Sequence, residues 1–192
     1  MNKLEGKDLI TVGIYTAIYF VVLTAISMLG FIPIFLVLLS VLVPIVDGIP
    51  MMLYYSKIKK FGMLTITGLL CGLLMMLTGM GYYIVITGIV IPFIADLILK
   101  AGKYTSVKMM TLSYGVFSMW LIGNYIPIFV ARDSYRAELV AGYGQEYADT
   151  LMRLLPNWMV IVLLVAGFVA GIIGAVIGQK VFKKHFERAG IV

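Results

Sequence analysis

The sequence predicts an all-α, polytopic membrane protein: a bundle of six transmembrane helices with both termini in the cytoplasm. Hydrophobic residues make up 62% of the 192 and charged residues only 12%, with a mean hydropathy of +1.06, whereas soluble domains carry roughly 25% charged residues. Six apolar runs, at residues 9–29, 31–55, 61–80, 82–99, 109–130 and 158–177, each approach the about 20 residues needed to cross a hydrocarbon core. Twelve of the fifteen Lys and Arg residues fall at the two termini and in the loops on one side of the spans, which by the positive-inside rule is the cytoplasmic side. Nothing remains for a soluble domain, so residues 1–192 read as one multi-pass domain of the plasma membrane.

The first run follows Lys3 and Lys7 as a signal peptide would. It is longer than the about 7 to 15 residues of a signal core, and no small-x-small cleavage site follows, so it is expected to stay as a span. Gly13 and Ala17 lie four apart on it, a spacing that lets another backbone approach closely in lipid. The second run follows after Gly30 and contains Pro44, Asp47, Gly48 and Pro50. Two prolines and a glycine within seven residues predict a kinked or unwound segment. Asp47 is expected to accept a bond from a freed backbone N–H or to pair with Lys57, and a proton- or ion-coupling role is the functional alternative.

The third run holds the single cysteine, Cys71, read as a small packing residue. It turns at Gly79-Met80-Gly81 into the fourth, where Asp96 and Lys100 form an i, i+4 pair. On the outer half of the bundle, Tyr83 and Thr87 share one face of the fourth run, and Trp120 and Asn124 one face of the fifth. With Tyr82, Tyr125, Asn157 and Trp158 at the same depth they make an aromatic, weakly polar, uncharged rim, the surface on which a small organic ligand is held by stacking and a few hydrogen bonds. An interfacial aromatic belt explains Tyr125 and Trp158 equally well.

The long loop, 131–156, carries three arginines against four acids. In it Tyr135, Leu139, Tyr143, Tyr147 and Leu151 recur every four residues, a helical stripe that Gly142 and Gly144 should break in the middle. This predicts a two-part amphipathic segment, either an interfacial helix or a lid over an outward-facing pocket to which Tyr143 contributes. The sixth run carries Ala166, Ala170, Gly174 and Gly178 in one row and Gly167, Gly171 and Ala175 in the next. Such faces serve bundle packing or, at Gly171 and Gly174, a partner chain.

Several functions are excluded or disfavoured. The only histidine, His185, lies in the basic tail, so no histidine-based dyad or metal site exists inside the membrane, and Asp47 and Asp96 stand without a paired acidic motif. No ATPase or catalytic motif is present, so the chain is not expected to be an enzyme, and no metal or other cofactor is expected. The net charge of +6 reflects topology and contact with anionic lipid rather than nucleic acid.

Six spans with cytoplasmic termini, the small-residue pair in the first span and a single long outer loop before the last resemble the substrate-binding (S) component of an energy-coupling-factor (ECF) transporter. The stretch from Pro44 to Gly62, especially Asp47-Gly48-Ile49-Pro50-Met51-Met52-Leu53 with Lys59-Lys60-Phe61-Gly62, is similar to the Trep_Strep branch of integral membrane proteins. That resemblance implies a transmembrane coupling (T) component and two cytoplasmic ATPases as partners. It also implies ATP-driven uptake of a vitamin-like or other planar organic solute captured at the outer face. The wider family's Ala-xxx-Ala contact with the T component falls here on Gly13 and Ala17. The alternative is a self-sufficient secondary transporter or channel that works as a homo-oligomer through the glycine face of the sixth span.

Overall fold

The computed structural model describes residues 3–181 and 183, and every regular element among them is helical. Helix α1 (Gly6–Ser27) runs through a 3₁₀ turn to α2 (Pro33–Lys57), which opens on Pro33, where the missing N–H breaks no bond. Helix α3 (Met63–Met75) ends in one π turn. Gly79 and Gly81, both with positive φ, reverse the chain there into α4 (Tyr83–Ala101), a conformation that only glycine adopts freely. Then follow α5 (Val107–Ser118), a 3₁₀ stretch (Met119–Asn124), α6 (Ile126–Val130), α7 (Arg132–Tyr143), α8 (Gln145–Leu154) and α9 (Met159–Val181).

Among the described residues, five segments are long and apolar enough to cross a membrane: Gly6–Phe31, Pro33–Lys57, Met63–Met80, Tyr83–Ala101 and Met159–Val181. The run at 109–130, expected as a continuous span, is instead broken into α5, the 3₁₀ stretch and α6. Two residues account for the break. Pro127 lacks the N–H that would continue an α-helical ladder, and Gly123 lies so close to α4 that a Cβ there would collide with Ile84 and the Thr87 hydroxyl.

Glycine contacts set the directions of the helices. A Cβ on Gly48 would meet the Gly174 backbone, one on Gly174 the Pro44 carbonyl and one on Gly178 the Gly48 carbonyl, so residue numbers rise together along α2 and α9 and the two run parallel. Gly68 meets Gly88 and Pro92, and Gly72 meets Ile84 and Val85, so α3 and α4 run antiparallel. In lipid the tails are as apolar as leucine, and this close packing of small residues carries much of the helix association. The second row of α9 is also used internally, since Gly171 lies against Gly115 and Ser118 of α5.

Two clusters of buried side chains result. The larger is strongly aromatic, with Tyr19, Tyr54, Tyr55, Tyr114, Phe117 and Trp120 all almost fully buried. The smaller lies where the α7–α8 hairpin packs on the bundle, and holds Val37, Tyr125, Ile128, Leu139, Leu151, Leu155 and Leu163. The expected two-part amphipathic segment is present, and the break falls at Gly144, whose φ of 87° ends α7 and starts α8.

Two expectations for the interior are corrected. Helix α2 passes without interruption through Pro44, Asp47 and Pro50 instead of unwinding, with the Tyr114 hydroxyl bonded to the Pro44 carbonyl at 2.9 Å and the α9 glycines packed alongside. Asp96 does not pair with Lys100. Its carboxylate instead accepts bonds from the Thr65 backbone N–H (2.8 Å) and hydroxyl (2.6 Å), capping the N-terminus of α3 from a neighbouring helix, while the Lys100 ammonium sits 5.5 Å from the centre of the Phe61 ring.

Candidate ligand and coupling sites

The nine residues expected to bind a ligand do not form one open surface. Trp120 is fully buried and donates its indole N–H to the Tyr19 hydroxyl at 2.9 Å, so its ring packs against α1 and beside Gly88 of α4 and not on a free face. Thr87 joins the same region, donating its hydroxyl to the Trp120 carbonyl at 2.8 Å. Tyr125 is buried and bonds to the Leu36 carbonyl at 2.7 Å. Asn124 lies between them, and its buried side-chain oxygen has no hydrogen-bond partner. The 3₁₀ stretch thus gathers Thr87, Trp120, Asn124 and Tyr125 into one region.

The other five lie apart. Tyr82 and Tyr83 stack on each other at 4.3 Å at the start of α4, with Tyr82 exposed. Asn157 and Trp158 are exposed just before α9. Tyr143, on the hairpin, stacks on Tyr147 at 4.9 Å and approaches Phe31 at 6.4 Å.

Beside the 3₁₀ stretch is a cavity of about 10 Å³, lined by Ser40, Ser118, Met119, Ile122, Tyr125 and Gly167 among others, room for roughly one water molecule. A 3₁₀ stretch inside a helical run commonly marks a hinge. Ser40 and Ser118 were not singled out from the sequence. The signal available for Ser40 was its place four residues before Pro44, where the proline removes the donor to its carbonyl.

The hairpin covers this end of the bundle. The Tyr147 hydroxyl donates to the Gly30 carbonyl at 2.6 Å, tying α8 to the turn between α1 and α2. Within the hairpin the Arg132 guanidinium donates to the carbonyls of Met152 (2.6 Å) and Leu155 (2.8 Å), satisfying the last turn of α8, and Arg136 pairs with Asp149. That pairing holds the Asp149 carboxyl below the usual carboxylate range.

At the opposite end Lys60 ties the α2–α3 loop to the N-terminus, with its ammonium 2.8 Å from both Glu5 and Asp8 and 3.0 Å from the Lys3 carbonyl. Hydrogen bonding to Lys60, and then to Lys7, lowers the Glu5 carboxyl from its ordinary value. Bonding to Asp8 and Glu5 raises the Lys60 ammonium. Lys184, His185 and Arg188, part of the predicted basic tail, lie outside the described residues.

The four residues expected to meet a partner divide sharply. Gly13 and Ala17 are exposed on α1, with open space beside Gly13, on a face that also presents Ile10, Ile14, Ile18 and Val21. Gly171 and Gly174 are buried against α5 and α2, and so offer no surface to another chain. Among the described residues no group of three or more His, Cys, Asp or Glu is placed to hold a metal ion.

A family model described as a hypothetical bacterial integral membrane protein, Trep_Strep, matches residues 6–188. Neither a curated protein nor a solved structure matches the chain.

Proposed function

The chain belongs to the Trep_Strep family of hypothetical bacterial integral membrane proteins, and from that premise we propose that it is the substrate-binding S component of an ECF-type importer in the plasma membrane. The observation that carries this reading is the outward face of α1. Gly13 and Ala17 stand four residues apart with no side chain of the bundle beside Gly13, and the α1 segment is the least buried of the five long ones, at 22% against 33–39% for the others. Two small residues set among exposed Ile10, Ile14, Ile18 and Val21 form a notch that lets a partner helix approach in lipid. The T component and two ATPases supply the energy for which this chain carries no motif.

The reading counts residues 107–130 as a sixth crossing. Parallel spans must be separated by an odd number of crossings. Helices α3 and α4 make two between α2 and α9, and the broken segment makes the third. Ser113 bonds to Tyr55 and Tyr125 to Leu36, so the segment follows α2 over a rise of about 28 Å at 1.5 Å per residue, close to the roughly 30 Å of a hydrocarbon core. Both termini then share the side rich in lysine, the cytoplasm.

Substrate enters from the opposite side, under the α7–α8 hairpin, into the region of the 3₁₀ stretch, where Asn124 holds an unused acceptor and Tyr125 lines the small cavity; the rings of Trp120 and Tyr125 are buried in this state and are reached only once the helices part. The absence of any charged residue there favours a planar, largely apolar small molecule. The homo-oligomeric alternative loses its interface, because both small-residue rows of α9 are occupied by α2 and α5.

The test is co-purification of the chain with its T component and ATPases, together with Gly13→Leu/Ala17→Leu. The double variant is expected to lose the complex and cellular uptake while the isolated chain still retains its small molecule in native mass spectrometry. A complex that survives the substitutions, or solute flux through the chain alone in liposomes, refutes the proposal.

A further inference from the structure

Asp47 lies in the middle of α2 with its side chain fully buried, and among the described residues neither carboxyl oxygen has a hydrogen-bond partner. Asp96, the other fully buried acid among the described residues, differs because one of its oxygens is held by the amide and hydroxyl of Thr65. Among the described residues no cation pairs with Asp47, Lys57 of the same helix included. The titratable groups within electrostatic reach of it are Tyr19 from α1, Cys71 from α3 and Tyr114 from α5. Helix α9 brings the backbone of Gly174 and Gly178 against its neighbour Gly48. Tyr114 spends its hydroxyl proton on the Pro44 carbonyl, and Tyr19 accepts from Trp120.

A carboxylate buried without a partner costs several kcal/mol even after relaxation. An apolar residue at the same place would avoid that cost, so an acid kept inside a membrane span points to function. The surrounding helix is built to give way. Pro44 and Pro50 remove the donors to the carbonyls of Ser40 and Val46, leaving α2 one ladder bond short just before Asp47 and one across it. Both oxygens are enclosed by packed side chains, and a proton is the one cation that reaches them without displacing any.

We propose that Asp47 is a proton-binding site, neutral while the bundle is closed as seen here, and that its ionisation is tied to opening of the helices around it. Opening admits water to the carboxyl, and the charged form then holds the region open. The proton passes between the Asp47 carboxyl and that water.

Two measurements on the full chain in lipid nanodiscs test this. The infrared spectrum at neutral pH is expected to contain the carbonyl band of a protonated carboxyl that is missing in Asp47→Asn. Isotope-labelled aspartate in the unsubstituted chain reads the same band if the variant does not fold. A spectrum with carboxylate bands alone overturns the proposal.

Coupling is read from the rate at which a maleimide alkylates Cys71, a buried thiol of α3. The ratio of the unsubstituted chain to Asp47→Asn cancels the thiol's pH dependence except for the effect of an ionised Asp47 on it, which slows alkylation and so cannot produce a rise. The ratio is expected to climb with pH by up to tenfold per unit, the limit for one linked proton. A ratio flat across the pH range overturns the coupling. Both outcomes are independent of whether a T component binds.

Discussion

One alanine methyl added at Gly13 and at Gly174 should have opposite consequences, and the comparison isolates what holds this bundle together. Each substitution replaces a helical glycine, and each gains up to about 1 kcal/mol of helix propensity. At Gly13 nothing lies within 4 Å of the new methyl, so the gain stands alone. At Gly174 the methyl would be driven into the Pro44 carbonyl, with the α-carbon of Ile45 3.1 Å away on the same helix. Backbone cannot rotate aside as a side chain can, so α2 and α9 must separate, loosening the contacts at Gly48 and Gly178 as well. Overpacking of this kind costs about 1–3 kcal/mol. Gly13→Ala is therefore expected to match or exceed the parent in stability, with Gly174→Ala lower than Gly13→Ala by about that amount. Reversible unfolding in mixed micelles, followed by circular dichroism as the denaturing detergent fraction rises, measures the difference. Equal midpoints for the two variants would refute the reasoning, because the α2–α9 contact would then not be close-packed.

Three further outcomes follow from the geometry. Arg132→Ala should free the last carbonyls of α8, at about 1–3 kcal/mol, and speed proteolysis within the hairpin. Arg136→Ala, at a half-exposed ion pair, should cost less than about 1 kcal/mol; comparable proteolysis rates would contradict this. Asn124→Leu removes an unpartnered buried acceptor, so its unfolding midpoint should equal or exceed that of the parent while the small molecule retained in native mass spectrometry is lost; a lower midpoint would mean that Asn124 is a structural residue. The Lys60 latch should hold at neutral pH. Because the Glu5 carboxyl is lowered, its contribution is present above its ordinary value and is lost as pH falls through the lowered one. Because the Lys60 ammonium is raised, its contribution persists until pH rises through that raised value. Hydrogen exchange of the first turn of α1 should accelerate at both extremes in the parent, and at neutral pH in Lys60→Met.

The boundaries of the long helices were legible in the sequence because membrane burial is a property of composition over about 20 residues, and no tertiary contact alters that count. The turn at Gly79 and Gly81 and the break at Gly144 were legible for a similarly local reason, since glycine adopts a positive φ at no steric cost, whereas the positive φ of Lys103 and Tyr104 carries no such mark in the sequence. Partner choice was not local. The glycines of α9 satisfy the same spacing rule whether they meet another chain or α2 and α5, and only the fold places Pro44 and Gly115 against them. Trp120 and Asn124 share a face by spacing, yet the 3₁₀ stretch turns Trp120 inward to Tyr19, a residue 101 positions away. Asp96 reads as the helical partner of Lys100, but the open N-terminus of α3 supplies an amide and a hydroxyl in the dry interior, where hydrogen bonds to a carboxylate are strong. Lys100 sits instead over the Phe61 ring. Asp47 was conspicuous from its composition alone. That both its oxygens stand without a partner depends on which side chains four other helices bring to that depth, and this only the tertiary structure decides.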